Sequence, residues 1–555
     1  MNKKVCSFPI LFALLALLIG TCAVVFPASA QAAPTSTGSI TVSGTVARSY
    51  DAYQIFSANV IDDSGDAKIA TDLAWASGAV RDAALPVLHS AGMPNSQTTA
   101  QEAAEWLNTD SHLTSALSAQ LARSLQSSAA ECVALNAGTA AELSCGYWLI
   151  VAKDDAISQG EAGTAPIMVL VGGSAVTVKP KAATPKVSKH VLEDSTAAWQ
   201  KAADATVADD LYWRLSATVP AGLTAYDTYT VRFVDTMSAG LDPSKVAASM
   251  HVYVATGADG GFDAVSTGKD GRAGTEPAKG WTDITAQCAT KVAADGTFTV
   301  RTGDLIAALG GADAFTAGAR VVAVYNAPLN SACNHGIAKG NPNEVYLRYP
   351  RSPLADQSGD AGFTRTPSDD ACAYTWDLAL TKRGSDGDKP LAGAVLSIAD
   401  DRGRTLAADG TWDAEGKATV TTGEDGRVTV SGVDSGKLEV RELKAPKGYT
   451  AFEGTRSVTV KAEGLDVDQV AAAKPKLTMT AESPLRADSA DGSTGSLEAS
   501  LINTPTGTPP SITTGGFMPS TGDMAMYAAA AAAVAGAALI VVALLVKRGG
   551  GSHKE

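Results

Sequence analysis

Trp376-Asp377-Leu378-Ala379-Leu380-Thr381-Lys382 begins as a regular alternation and ends by breaking its own rule. Successive strand side chains point to opposite faces, so Trp376, Leu378, Leu380 and Lys382 share one face. A lysine therefore points where a core belongs. Two later stretches do the same. In Leu438-Glu439-Val440-Arg441-Glu442 the apolar face ends in Glu442, and in Leu497-Glu498-Ala499-Ser500-Leu501-Ile502-Asn503 it ends in Asn503. Left unpaired in a core, each of these groups costs several kcal/mol. Two readings are open: three strand-end residues whose tips reach solvent, or three groups that meet.

The surrounding sequence is built for short strands. Gly- and Asp-rich breaks such as Asp270-Gly271 and Asp425-Gly426 read as turns and predict β-sandwiches over 181–360 and 361–505. Parity in 181–360 resembles that in 361–505. Val187, Lys189 and Val191 share a face, as do Tyr229, Val231, Phe233 and Asp235, and as do Asn341, Asn343, Val345, Leu347 and Tyr349. The segment 31–180 mixes strands at 40–42, 50–56, 146–151 and 165–171 with a helical stretch. That stretch opens with Thr99 as N-cap and Glu102 three residues on, followed by Trp106, Leu107, Leu113, Leu117, Leu121 and Leu125. The expected fold is mainly β, with tandem Ig-like sandwiches and a partly helical N-terminal domain. Thr, Pro and Gly over 506–517 read as an extended linker.

Composition sets the outer limits. The chain has 555 residues, 44 Lys+Arg against 58 Asp+Glu, and a formal charge of −14. This balance argues against nucleic-acid binding, which draws on basic surface. With 45% hydrophobic and 18% charged residues the chain is not disordered throughout. Seven cysteines are too few for a small disulfide scaffold and too scattered for a zinc ribbon. Met1-Asn2-Lys3-Lys4, an apolar run and Ala28-Ser29-Ala30 describe a signal peptide over 1–30. At the other end, an apolar stretch over 524–546 followed by Lys547-Arg548 predicts a transmembrane helix with its basic end in the cytoplasm. There is no His-Glu-x-x-His, no phosphate-binding glycine loop and no Gly-x-Ser-x-Gly. No turnover enzyme, no cofactor and no metal site is expected.

Several motifs resemble one family. Met518-Pro519-Ser520-Thr521-Gly522, directly before the apolar stretch, resembles an LPxTG sortase sorting signal with Met in place of Leu. Lys382-Arg383, Lys389-Pro390-Leu391-Ala392-Gly393-Ala394 and Leu438-Glu439-Val440-Arg441-Glu442-Leu443 resemble a Cna-B-type domain with its E-box, although Leu438 and Leu443 stand where Tyr and Thr are usual. Tyr50-Asp51-Ala52-Tyr53-Gln54-Ile55-Phe56, Lys189-His190-Val191 and Asn341-Pro342-Asn343-Glu344-Val345 resemble the other two domains of the same proteins. These are the isopeptide-forming backbone subunits of sortase-assembled Gram-positive pili.

The resemblance implies a chemistry. Burial would lower the Lys382 pKa to give a neutral amine, and raise that of Glu442 to give an acid that polarises the Asn503 carbonyl. Lys382 then attacks Asn503 and ammonia leaves, forming an intramolecular isopeptide bond. In the middle domain the resemblance assigns Lys189 as nucleophile, Asp235 as acid and Asn343 as acceptor, with Asn341 as rival. Val176-Thr177-Val178-Lys179-Pro180-Lys181 resembles the pilin motif Val-x-Val-Tyr-Pro-Lys and makes Lys181 the intersubunit lysine, with Lys179 as rival. The sorting signal implies cleavage between Thr521 and Gly522 within the terminal segment 518–555. Partners implied are polymerising and wall-anchoring sortases, further copies of the chain in a head-to-tail covalent polymer, peptidoglycan and a host-surface ligand. The product would be secreted onto the cell wall after its precursor is held in the cytoplasmic membrane. The alternative is a monomeric wall-anchored adhesin with the same domains. Export also makes disulfides plausible within the pairs Cys132 and Cys145, and Cys288 and Cys333, leaving Cys372 odd.

Overall fold

A computed structural model describes residues 37–507, apart from 45, 63–67, 110, 182–183, 222, 259–262 and 269. The signal peptide, the sorting signal from Met518 to Gly522 and the apolar stretch after it lie outside the described residues.

The N-terminal domain is organised by strand Gly146–Ala152, which is buried along its whole length. Trp148, Ile150 and Ala152 face a three-stranded sheet in which Thr37–Val42 runs between Ala140–Ser144 and Val176–Val178. Leu149 and Val151, of opposite parity, face three helices, Gly78–Ser90, Ala100–Asn108 and Ser115–Gln126. Cover on both faces explains an unbroken apolar run in place of alternation. The expected Thr99 cap is present as a reciprocal capping box with Glu102. The single helical stretch resolves into two helices, and Gly78–Ser90 precedes them without having been expected.

The middle domain pairs a six-stranded sheet, containing Val187–Glu193, Tyr212–Thr218 and Arg320–Asn326, with a seven-stranded sheet around Arg232–Met237 and Asn341–Pro350. The expected boundary at 360–361 falls inside this second sheet. Phe363–Arg365 and Asp369–Tyr374 both pair antiparallel with Asn341–Pro350. The domain therefore continues to Tyr374, because the open edge of Asn341–Pro350 takes these strands as partners. Thr375, fully buried, joins it to the third domain.

In the third domain, strand Trp376–Gly384 lies between Arg427–Val433 and Ser496–Pro505. Its pairing with Ser496–Pro505 is parallel, so the first and last strands of the domain are neighbours running the same way. The facing sheet carries Val395–Ala399, Gly436–Lys444 and Thr455–Glu463. Trp376, Leu378, Leu380, Leu438, Val440, Leu497, Ala499 and Leu501 share one core between the sheets.

Candidate cross-linking sites

The parallel pairing sets Lys382 opposite Leu501 and Gly384 opposite Asn503. Lys382 and Asn503 thus project from adjacent strands of one sheet, and Glu442 reaches them from strand Gly436–Lys444 opposite. All three are buried, Lys382 completely, Asn503 to 2% and Glu442 to 7% exposure. Lys382 Nζ donates to Asn503 Oδ1 and lies 3.2 Å from Glu442 Oε1. Asn503 Nδ2 donates to both Glu442 oxygens, at 2.8 and 3.0 Å. The backbone N–H of Phe452 donates to Glu442 Oε2 at 3.1 Å and fixes the carboxylate from behind. Burial pulls the Lys382 amine down to about 8 against the opposing pull of Glu442. The strand-end reading is excluded here, because none of these groups reaches solvent.

The middle domain assembles its set across the sandwich. Lys189 comes from the six-stranded sheet, whereas Asp235 and Asn343 come from the facing one. All three are fully buried. Lys189 Nζ is ion-paired with Asp235 Oδ2 and donates to Tyr325 Oη at 2.9 Å. Tyr325 Oη donates to Asp235 Oδ2 at 3.3 Å and accepts from Asn343 Nδ2 at 2.9 Å. Asp235 pairs with Val345 and Met237 with Asn343, making Asp235 and Asn343 diagonal neighbours on one face. Desolvation pulls the lysine down to about 8 and pushes the aspartate up to about 6. With ordinary values of 10.5 and 3.8 the neutral amine–acid pair is negligible. Here both shifts favour it. A neutral amine, a protonated acid and a carboxamide in one dry site are the components of an acyl transfer that releases ammonia.

Asn341 is also fully buried, but its carboxamide is already used. Its Nδ2 donates to the carbonyls of Asn334 and Ala373 at 2.8 and 3.2 Å, and its Oδ1 accepts from Asn334 N at 2.8 Å. It holds a turn, whereas Asn343 Nδ2 shares the Tyr325 hydroxyl with Lys189 Nζ.

Three residues at this site were not expected. Tyr325 was within reach of the parity argument, because Val321, Ala323 and Tyr325 share a face of Arg320–Asn326 and all are fully buried. Lys201 and Asp369 form an ion pair 168 positions apart, for which no local pattern exists. Lys201 Nζ donates to Lys189 O at 2.9 Å, and Asp369 Oδ2 accepts from Lys189 N at 2.7 Å. The pair holds both backbone polar groups of Lys189.

Lys179 and Lys181 are exposed and follow the edge strand Val176–Val178, whose Val178 points into the core. Neither expected disulfide is present in the structure. Cys132 is an exposed free thiol, whereas Cys145 is buried in the core beneath the helices. Cys288 and Cys333 are free thiols with local partners: Cys288 Sγ donates to Ile284 O at 3.3 Å, and Cys333 Sγ lies 3.7 Å from His335 Nε2. Cys372, expected to be odd, is a buried thiol with its pKa pushed up to about 11 by desolvation.

Residues 377–474 match the family model described as SpaA, prealbumin-like fold domain. This stretch resembles a SpaA-type prealbumin-like domain. It includes Lys382 and Glu442 and stops before the strand that carries Asn503. Over 143 residues, 24% of the chain, the sequence is 30% identical to the trypsin-resistant surface T6 protein of Streptococcus pyogenes serotype M6. The chain spans about a quarter of that relative's length, 24%. Among solved structures it is similar to the T6 backbone pilin of serotype M6 Streptococcus pyogenes, with 16% identity and a TM-score of 0.46 over 85% of this chain and 99% of that one. It is also similar to the major pilin SpaD of Corynebacterium diphtheriae, with 14% identity and a TM-score of 0.41 over 85% and 97%.

Proposed function

We propose that the chain is the backbone subunit of a sortase-polymerised cell-wall pilus, stabilised by Lys189–Asn343 and Lys382–Asn503 isopeptide bonds and serving surface adhesion. The observation that carries the reading is the recurrence, in two successive domains, of a buried lysine paired with an acid and linked to a buried asparagine, directly in the third domain and through Tyr325 Oη in the middle one. Either set alone would be an expensive way to build a core. Once bonded, the amine and the acid have no charge left to bury. The reacting groups act once, on their own chain, so the protein is structural and not a turnover enzyme.

Polymerisation uses the opposite placement. Lys181 is exposed and free to attack a sortase acyl-enzyme formed at Thr521 after Gly522 leaves, and Met518, Pro519 and Ser520 complete the recognition sequence. Joining Thr521 of one subunit to Lys181 of the next is a heterologous contact that extends without closing. Polymerising and wall-anchoring sortases, peptidoglycan and a host-surface ligand are the partners this reading requires.

Mass spectrometry tests the bonds. Each releases one ammonia, so the ectodomain should weigh about 34 Da less than its sequence, and Glu442→Ala should restore about 17 Da. A mass equal to the unreacted chain would remove the cross-links from the proposal. Wall extracts run on denaturing gels test the polymer. A ladder is expected, and a single wall-bound species would leave a monomeric adhesin.

A further inference from the structure

The two sites differ in how the acid reaches the nitrogen that must leave. In the third domain Glu442 accepts from Asn503 Nδ2 through both oxygens, at 2.8 and 3.0 Å. In the middle domain the acid is aspartate, one methylene shorter, and Asn343 Nδ2 donates instead to Tyr325 Oη at 2.9 Å. The same hydroxyl accepts from Lys189 Nζ at 2.9 Å and donates to Asp235 Oδ2 at 3.3 Å. A phenol has one proton to give and two lone pairs. Nucleophile, acid and leaving nitrogen therefore use its entire hydrogen-bonding capacity. The ring is fully buried and stands edge-on to Phe298, with centroids 4.8 Å apart, which fixes the hydroxyl in place. Asp235 Oδ1 and Asn343 Oδ1 are both buried acceptors without a hydrogen-bond partner among the described residues.

We infer that Tyr325 is a catalytic residue of the middle-domain cross-link, handing a proton from Asp235 to the departing nitrogen of Asn343; this rests on the cross-linking reading above. Lys189 attacks as the neutral amine while Asp235 is protonated. A bond forms from Nζ to Cγ of Asn343, and the carbonyl electron pair moves to Oδ1. With the acid proton on Oδ2 and a lone pair freed on Nδ2 by the attack, both bonds of the hydroxyl reverse: Tyr325 gives its proton to Nδ2 and takes the one on Asp235 Oδ2 in exchange. Nζ, now carrying a surplus proton, returns one to the Asp235 carboxylate. The pair on Oδ1 re-forms the carbonyl, the Cγ–Nδ2 bond breaks, and its electrons leave with the nitrogen as ammonia. Asp235 ends protonated and Tyr325 neutral, as both began. Burial and the neighbouring Asp235 hold the phenol well above its ordinary range, so it exchanges protons and does not ionise.

Tyr325→Phe keeps the ring and removes the relay. The full-length ectodomain, made in a cell-free reaction and sampled over time, is digested and its domains weighed. Ammonia loss from the middle domain should be roughly 100- to 10,000-fold slower than in the unaltered chain, the range for a lost general acid–base group. The third domain of the same molecules should react at its usual rate. Asn343→Ala keeps Lys189, Asp235 and Tyr325 but cannot bond, so it sets the melting temperature of an unbonded middle domain, and Tyr325→Phe should melt with it. Ammonia loss at the unaltered rate overturns the assignment. So does a Tyr325→Phe domain that is unfolded or melts well below Asn343→Ala, because the hydroxyl would then be structural. If the unaltered middle domain never loses ammonia, the cross-link itself is refuted, which is a separate result.

Discussion

Asn503→Ala takes the acceptor from the third-domain site and leaves the rest in place. Lys382 keeps Glu442 at 3.2 Å, and both remain inside the sandwich. Lys382 and Asn503 are 121 positions apart, so the proposed bond would close a long loop between the first and last strands. In the chain-entropy treatment of cross-links, a loop of that length restricts the unfolded state by roughly 5 kcal/mol. A domain of this size sits between the usual small and large cases, so each kcal/mol moves the melting temperature by roughly 3–5 °C, and the expected fall is roughly 15–25 °C. Differential scanning calorimetry of the ectodomain measures it, with mass spectrometry of the third-domain fragment confirming that no ammonia was lost. The middle-domain transition serves as an internal reference, since its own bond is untouched. If the fragment is unbonded by mass and yet melts within about 3 °C of the bonded one, closing the loop is not what stabilises the domain.

The same variant should acquire a pH dependence that the bonded protein lacks. Burial holds the Lys382 amine at about 8 in the folded chain, against 10.5 when unfolded, so the unfolded state binds the proton more tightly. Stability should therefore be lowest below about pH 8 and rise by up to roughly 3 kcal/mol as pH climbs to about 10.5. Urea midpoints at both ends of that window would show it, and equal midpoints in Asn503→Ala would contradict the buried-amine account. Lys181→Ala and Lys181→Arg should both abolish the polymer ladder while leaving a folded, wall-attached monomer, because a guanidinium stays protonated and cannot attack. A ladder that survives both but collapses in Lys179→Ala would move the link to Lys179. Cys288 and Cys333, as free thiols, should both take up maleimide in unreduced, denatured protein; a protected pair would restore the disulfide.

Much of this arrangement was legible because strand parity is rigid. A period of two leaves Lys382, Glu442 and Asn503 no other face once their apolar neighbours are committed to the core. Lys189, Asp235 and Asn343 follow by the same rule, and so would Tyr325. What stayed hidden depends on pairing between distant strands. Asn341 is engaged by the Asn334 turn while Asn343 shares a hydroxyl with Lys189, and sequence spacing does not report that turn. The end of the middle domain was misplaced because 351–368 is rich in Ser, Pro, Asp and Gly and reads as a connector, although Phe363–Arg365 within it and Asp369–Tyr374 after it complete a sheet. Helix Gly78–Ser90 was masked by Pro86 in its interior, which normally argues against a helix. Ser77 caps it all the same, through Val80 N at 3.2 Å.

In the proposed fibre, tension enters a subunit at Lys181 and leaves at Thr521. Residues 37–178 branch off that path, because Lys181 follows the last strand of the N-terminal domain. Among its described residues the buried polar side chain is Ser118, and no lysine is buried there. Both buried lysine–acid–asparagine sets fall in the two domains that lie between the points of load. Within the third domain the bond would sit close to both ends, Lys382 in the entering strand Trp376–Gly384 and Asn503 in the leaving strand Ser496–Pro505. Force applied to such a domain passes through the amide, and the strands between carry almost none of it. The middle domain is protected less completely, since Asp369–Tyr374 lies beyond Asn343 and holds to Asn341–Pro350 through backbone hydrogen bonds. Two further contacts secure that segment. Lys201 pairs with Asp369 at its start, and Trp376 Nε1 donates to Asp204 Oδ2 at 2.6 Å just past its end. In that proposed fibre the placement of polar groups that looks wasteful for folding alone is ordered along the line of load, and the described residues of the domain off that line have none of it.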